Sequence, residues 1–236
     1  MNDRLSLKLC AWSGIAGVVI IGLGMFFAGL LPIPGPSESA QQTYDHLVGH
    51  STSVRLGLIM AMMGAGLLVG YAATLFVQMR RIEGEHAVLS HFQMGSGILL
   101  SLEFIYLIFF WQTATFRVDR APELVQLLND MAWIPFVGLS STLVLQALTF
   151  GVVVLIDKQE QPIFPRWIGW FSIFAAMSFT PGTFNMFFMQ GPFAWNGIIA
   201  IYFPVVVYVL WNLFNCIFAS KAVDAMSLQR AEVLRT

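Results

Sequence analysis

The sequence predicts an all-α, polytopic integral membrane protein, a bundle of six transmembrane helices with both ends on the cytoplasmic side. Three observations carry this expectation. Only 11% of the 236 residues are charged and 57% are hydrophobic, against roughly 25% charged in a soluble domain. Six apolar segments each reach the roughly 20 residues a helix needs to cross hydrocarbon. Lys and Arg gather on one side of those segments. Lipid offers no partner to a bare N–H or C=O, so these lengths suit helices rather than barrel strands of about ten residues.

The first segment covers about residues 9–31. Arg4 and Lys8 give it a charged start, but the apolar run from Leu9 to Leu31 outlasts the 7–15-residue core of a cleaved signal. It reads as a helix that stays. Pro32, Pro34 and Pro36 stop it, because proline lacks a donor and clashes with the preceding turn. Ser39-x-x-Gln42 then matches a capping box and predicts a short outer helix over about 40–48.

Segments two and three cover about 55–78 and 93–114. In the outer loop that follows, Pro122 and Glu123 suit a first helical turn. Leu124, Leu127, Leu128 and Met131 fall opposite Glu123, Gln126 and Asp130, the pattern of a helix lying on the outer interface. Segments four, five and six cover about 134–156, 167–189 and 197–219. Nothing between them is long enough for a soluble domain, so residues 1–236 read as a single transmembrane domain.

Orientation follows from the basic residues, which stay cytoplasmic. With the N-terminus inside, Arg4, Lys8, Arg80, Arg81, Lys158, Arg166, Lys221, Arg230 and Arg235 are cytoplasmic, nine of the 12 Lys and Arg. Arg55, Arg117 and Arg120 are outside. Trp111, Trp133 and Trp195 then mark the outer boundary, and Trp12, Trp167 and Trp170 the inner one. Cys10 and Cys216 sit on the reducing side as free thiols. The expected location is the cell membrane, a bacterial inner membrane or its equivalent.

Several functions are excluded. A net charge of -1 draws in no nucleic acid. No span contains a lysine for a retinal Schiff base or a well-buried histidine for bis-His haem. Gly-rich nucleotide loops, Gly-x-Ser-x-Gly elbows and His-Glu-x-x-His are absent. No pattern names a cofactor.

Glu103 is the most informative residue, standing mid-way along segment three and so near the bilayer midplane. A carboxylate there must be protonated, paired or in a watered cavity. Ser96, Glu103, Tyr106 and Thr113 share one face of about 100° at 100° per residue. Segment four offers Thr142, Gln146 and Thr149, and segment six offers Tyr208, Asn212 and Asn215. A polar interior shared by segments three, four and six is expected. In the structural alternative, a protonated Glu103 hydrogen-bonds Gln146 or Tyr208 and holds helices together.

A second constellation starts near Gln112 and runs through Arg117, Asp119, Arg120 and Glu123. These charges form an ion-pair network or take up an anionic head group or carboxylate, and Arg55 can join either arrangement. His46 and His50 have a four-residue spacing that suits a metal on one helical face, but no third ligand is near. Met60, Met62 and Met63 carry soft thioethers and read as packing. Pro181-Gly182 and Pro204 break segments five and six, with Asn185 and Asn196 on the outer side of the breaks. Gly14, Gly17, Gly22 and Gly24 in segment one, and Gly57, Gly64 and Gly66 in segment two, allow close helix approach within or between copies. Residues 129–135 also echo 191–197, as a duplicated helical hairpin would.

The leading expectation is a binding or transport component for a hydrophobic or amphipathic small molecule or lipid. Glu103 stands at the cavity floor and Arg117, Asp119 and Arg120 at its outer mouth. Two other classes stay open. One is an accessory subunit, as a homo-oligomer or in a larger membrane complex. The other is an intramembrane enzyme, a lipid isomerase or hydrolase, in which Glu103 transfers protons.

Overall fold

The computed structural model describes residues 3–233, with side chains described to Leu228. Arg235 lies outside the described residues, as does the side chain of Arg230. All regular structure among the described residues is helical: α1 (Asp3–Phe27), α2 (Ala40–Gly49), α3 (Ser51–Glu83), α4 (Val88–Phe116), α5 (Pro122–Gly138), α6 (Ser141–Ile156), α7 (Arg166–Phe179) and α8 (Phe203–Val233). A 3-10 helix over Thr180–Phe187 continues α7, and a π-helical turn over Ile198–Tyr202 leads into α8.

Among the described residues, five helical runs are long and apolar enough to cross a membrane: Asp3–Phe27, Ser51–Glu83, Val88–Phe116, Pro122–Ile156 and Ile198–Leu228. They make this a multi-pass membrane protein. The expected fifth segment is not among them because its α-helix ends at Phe179. Beyond it Pro181 lacks the donor an α-helix needs, and the chain winds instead into eight 3-10 residues, long for that conformation. The helix expected to start at Pro122 is present and extends past residue 131. It is α5, which runs on to Gly138, and the chain breaks at Leu139 and Ser140.

The start of α1 and the later turns of α8 share one end of the bundle, where Arg4 and Lys8 each pair with Asp224 at 2.6 and 2.8 Å. The α3–α4 turn and the α6–α7 loop share that end, since Arg81 donates to the Ala222 carbonyl and Gln159 to the Arg81 carbonyl. At the far end Trp195 donates to the Pro34 carbonyl and Gln126 to the Glu38 carbonyl. There Ser39 and Gln42 close the capping box of α2.

Glycine sets how closely α1 and α3 cross. A Cβ on Gly57 would stand 2.4 Å from the Gly24 carbonyl, and one on Gly17 would stand 2.7 Å from the Gly64 carbonyl. Backbones can approach this closely only where side chains are missing. These glycines therefore work inside the monomer, whereas Gly22 and Gly66 face open space.

Two clusters fill the bundle. Trp111, Trp133 and Trp195 are buried in the far-end one, where Trp111 and Trp133 lie edge to face at 4.9 Å. They are packed inside the protein rather than on its surface: each indole N–H that finds a partner binds within it, Trp111 on Asn129 and Trp195 on Pro34. Trp12, Trp167 and Trp170 are exposed. Tyr71, Phe150, Phe164 and Trp211 anchor the second cluster. Cys10 and Cys216 are free thiols.

Candidate functional site

An apolar cavity of about 260 Å³ takes walls from both clusters. It exists because α1 packs chiefly on α3 and α8, and α4 on α3, α5 and α6, which leaves a gap between the two groups. Val18, Ile21 and Gly22 of α1 face Leu100, Glu103 and Phe104 of α4 across it. At Gly22 a side chain would meet nothing within 4 Å, so the missing Cβ there widens the space. The remaining walls come from places where helices are interrupted.

Those interruptions have local causes. Pro135 in α5 cannot donate to the carbonyl one turn back, and the helix ends at Gly138. Asn185 donates to the Ile134 and Gly182 carbonyls at 3.0 and 2.9 Å, tying the 3-10 helix to the end of α5. Ser140 and Thr183 share a hydroxyl–hydroxyl bond of 2.6 Å across the same junction. Pro204 removes another donor just past the π-helical turn. Pro135, Leu139, Ser140, Ala200 and Pro204 all line the cavity. Irregular backbone is tolerated at membrane depth only where protein or a cavity meets it.

Glu103 supplies the one carboxyl group of the cavity lining. Its Oε2 accepts from Thr142 Oγ1 at 2.6 Å. Oε1 has no protein partner among the described residues, and Glu103 is part of the cavity lining. Tyr208 and Ser140 supply the other polar groups of the lining. An apolar chamber with one carboxyl group can hold a hydrocarbon body and accept a hydrogen bond from its hydroxyl or amine.

A model of the DUF4386 family, a domain of unknown function, matches residues 12–215. The chain belongs to this family. No curated protein and no solved structure matches it. The DUF4386 match takes in every wall of the cavity and stops before Lys221 and Asp224.

Within this DUF4386 domain, the residues that sequence reasoning singled out are only partly brought together. Glu103 and Tyr208 line the cavity. Gln146 does not bond Glu103. It is buried beside Gly97, where a Cβ would come within 2.5 Å of its Nε2. Asn212 is buried beside Gly14, with Tyr208 one turn away on α8. Tyr106 turns outward, 57% exposed and edge-on to Phe110. The three-residue step from Glu103 carries it about 60° round the helix, past the covered face. Thr113 is exposed as well.

The expected outer mouth is not a wall of the cavity. Gln112, Arg117, Asp119 and Arg120 lie beyond its lining, and the three charged residues make no ion pair among the described residues. Arg117 lies over the Phe116 ring instead. The turn that carries them follows the end of α4 at Phe116 and is solvent-exposed, so water satisfies these charges. Arg55 donates to the Thr115 carbonyl, a favourable place for a cation at the end of α4. Asn185 is committed to backbone carbonyls, and Asn196 is near Gly35 in the far-end loops. His46 bonds the Gly29 carbonyl and His50 joins α2 to α3, so they do not converge.

Thr142, the partner Glu103 uses, was visible only as one of three polar positions on segment four. Gly22 and Leu139 carried no chemical signal. The duplication echo also has no structural counterpart: residues 129–135 are helical, and 191–197 form turns.

Proposed function

We propose that this chain is a membrane-embedded binding or transport component for a hydrophobic or amphipathic small molecule or lipid. The observation that carries this reading is the carboxyl group of Glu103, with one oxygen free of protein partners, in a mostly apolar cavity lined by interrupted helices. Discontinuous helices of this kind form substrate sites in many transporters. Leu139 and Val205, both exposed and both in the lining, support access from the flank of the bundle. The ligand is an apolar body with a hydroxyl or amine that donates to Glu103.

The reading includes six crossings with both ends cytoplasmic, in a bacterial inner membrane or its equivalent. Its sixth crossing is α7 with its 3-10 extension. Fourteen α-helical residues rise about 21 Å and eight 3-10 residues about 16 Å, together enough for the ~30 Å hydrocarbon core. The Arg4–Asp224 pair supports an even number of crossings. Arg80, Arg81, Lys158, Arg166 and Lys221 on the same end support its being cytoplasmic. Catalysis is disfavoured, because Tyr208 is the only other titratable group in the lining.

Native mass spectrometry of the detergent-purified chain tests this reading. A retained small molecule or lipid is expected, lost in Gly22→Leu, which fills the cavity from a position with open space. Adducts of equal mass and occupancy in both proteins contradict it. A stoichiometric protein partner with no small ligand would point to an accessory subunit instead.

A further inference from the structure

A second cleft, of about 380 Å³, lies at the end of the bundle that holds the Arg4–Asp224 pair, between the last turn of α3, the α6–α7 loop and α8. It is separate from the Glu103 cavity and differs from it in charge. Arg81 and Lys221 line it, and neither makes an ion pair with a described acid. The nearby acids are committed elsewhere. Asp224 is held by Arg4 and Lys8. Asp157 is buried and accepts from the backbone N–H groups of Gln159 and Ile163, at 3.0 Å each. Glu160 is exposed on the loop and is not part of the lining. Asp157 acts on Arg81 across the loop without forming an ion pair with it, and Lys221 lies over the Phe218 ring, so the cleft presents two cations and no acid in its lining.

The cleft is built before anything binds. Arg81 is fixed by its bond to Gln78 Oε1 at 2.6 Å and by the Ala222 carbonyl. The loop opposite is fixed by Asp157 and by Gln159, whose amide donates to the Arg81 carbonyl. Its other walls are apolar, with Ile163, Phe164 and Phe218. Phe218 continues outward into an aromatic ridge, touching Trp167, which in turn touches Phe214 and Phe171. Trp167 is exposed, as an interfacial tryptophan is. Cations beside an aromatic ridge match a ligand with an anionic head and a hydrocarbon tail.

We propose that this cleft binds the phosphate of an anionic phospholipid, with Arg81 and Lys221 on the phosphate and the acyl chain along the Phe218–Trp167 ridge. Guanidinium supplies a forked donor for two phosphate oxygens and ammonium a point charge. The site does not depend on what the Glu103 cavity holds.

The test compares bound lipid by native mass spectrometry after adding dioleoylphosphatidylglycerol or dioleoylphosphatidylcholine to the detergent-purified chain. The parent chain is expected to retain phosphatidylglycerol preferentially. Lys221→Gln, at an exposed position, should reduce that preference about fivefold, and Arg81→Gln with Lys221→Gln should abolish it. Arg80→Gln, exposed and outside the lining, should leave it intact. Equal retention of the two lipids by the parent chain overturns the proposal, as does an unchanged preference in Lys221→Gln. If Arg80→Gln lowers the preference as much as Lys221→Gln, diffuse surface charge is responsible and the site falls. In a parallel arm, inorganic phosphate that displaces phosphatidylglycerol at millimolar concentration would assign the cleft to soluble phosphates and overturn the lipid.

Discussion

Thr142 Oγ1 donates to Glu103 Oε2 at 2.6 Å, joining α6 to α4 at the edge of the apolar cavity. The bond holds one carboxyl oxygen and leaves the other for a ligand. Thr142→Val keeps the shape and removes the donor, so it should lower stability by about 1 kcal/mol, read as a modest fall in melting temperature in detergent. Glu103→Gln keeps an acceptor toward Thr142 and should fold, with weaker ligand retention. Glu103→Leu should fold and retain no ligand. If both Glu103 variants retain ligand and only Leu loses stability, the residue is structural and the binding role falls.

The α1–α3 crossing makes a prediction independent of any ligand. Gly57→Leu would drive a side chain into the Gly24 carbonyl and the Ala28 amide, both 2.4 Å from its Cβ. Backbone cannot give way as a side-chain tip can, so a loss of at least about 1–3 kcal/mol is expected. Size-exclusion chromatography should show aggregated or poorly recovered protein. Gly66→Ala, where nothing lies within 4 Å, should match or slightly exceed the parent in stability. Equal behaviour of the two variants would contradict the packing described.

Asn185 makes a third prediction. Its amide satisfies carbonyls in both α5 and the 3-10 helix, and a buried acceptor left without a donor costs about 1–3 kcal/mol. Asn185→Leu should therefore destabilise the chain by that order. Hydrogen exchange should rise first in residues 180–202, where the helices are already interrupted. A uniform rise across all helices would mean that the junction is not a local weak point.

What could be read from sequence followed from how directly local chemistry dictates structure. Ser39 and Gln42 are three residues apart, and their capping box needs no tertiary partner, so the helix at Ala40–Gly49 was legible. Glu103 stood out because an acid amid apolar residues must find company. Its actual partner was not legible. Thr142, Gln146 and Tyr208 were all suitable in type, and only the packing of α4 on α6 selects Thr142. The packing of the tryptophans was not legible for a related reason: sequence gives Trp111 and Trp133 as amphipathic rings, and only the fold makes Asn129, Phe136 and each other their partners. The gap beside Gly22 is a property of several helices packed together, and no single segment encodes it.

The account rests on Glu103 being turned into a reachable apolar cavity, and carbodiimide labelling measures that most directly. Dicyclohexylcarbodiimide is apolar and modifies carboxyl groups in apolar surroundings. Peptide mapping of the folded, labelled chain should place the adduct on Glu103, with labelling suppressed in Gly22→Leu and unchanged in Gly66→Ala. No adduct on Glu103, or equal labelling when Gly22→Leu fills the space, would mean that the carboxyl is sealed off or faces lipid, and the cavity would have no role in function.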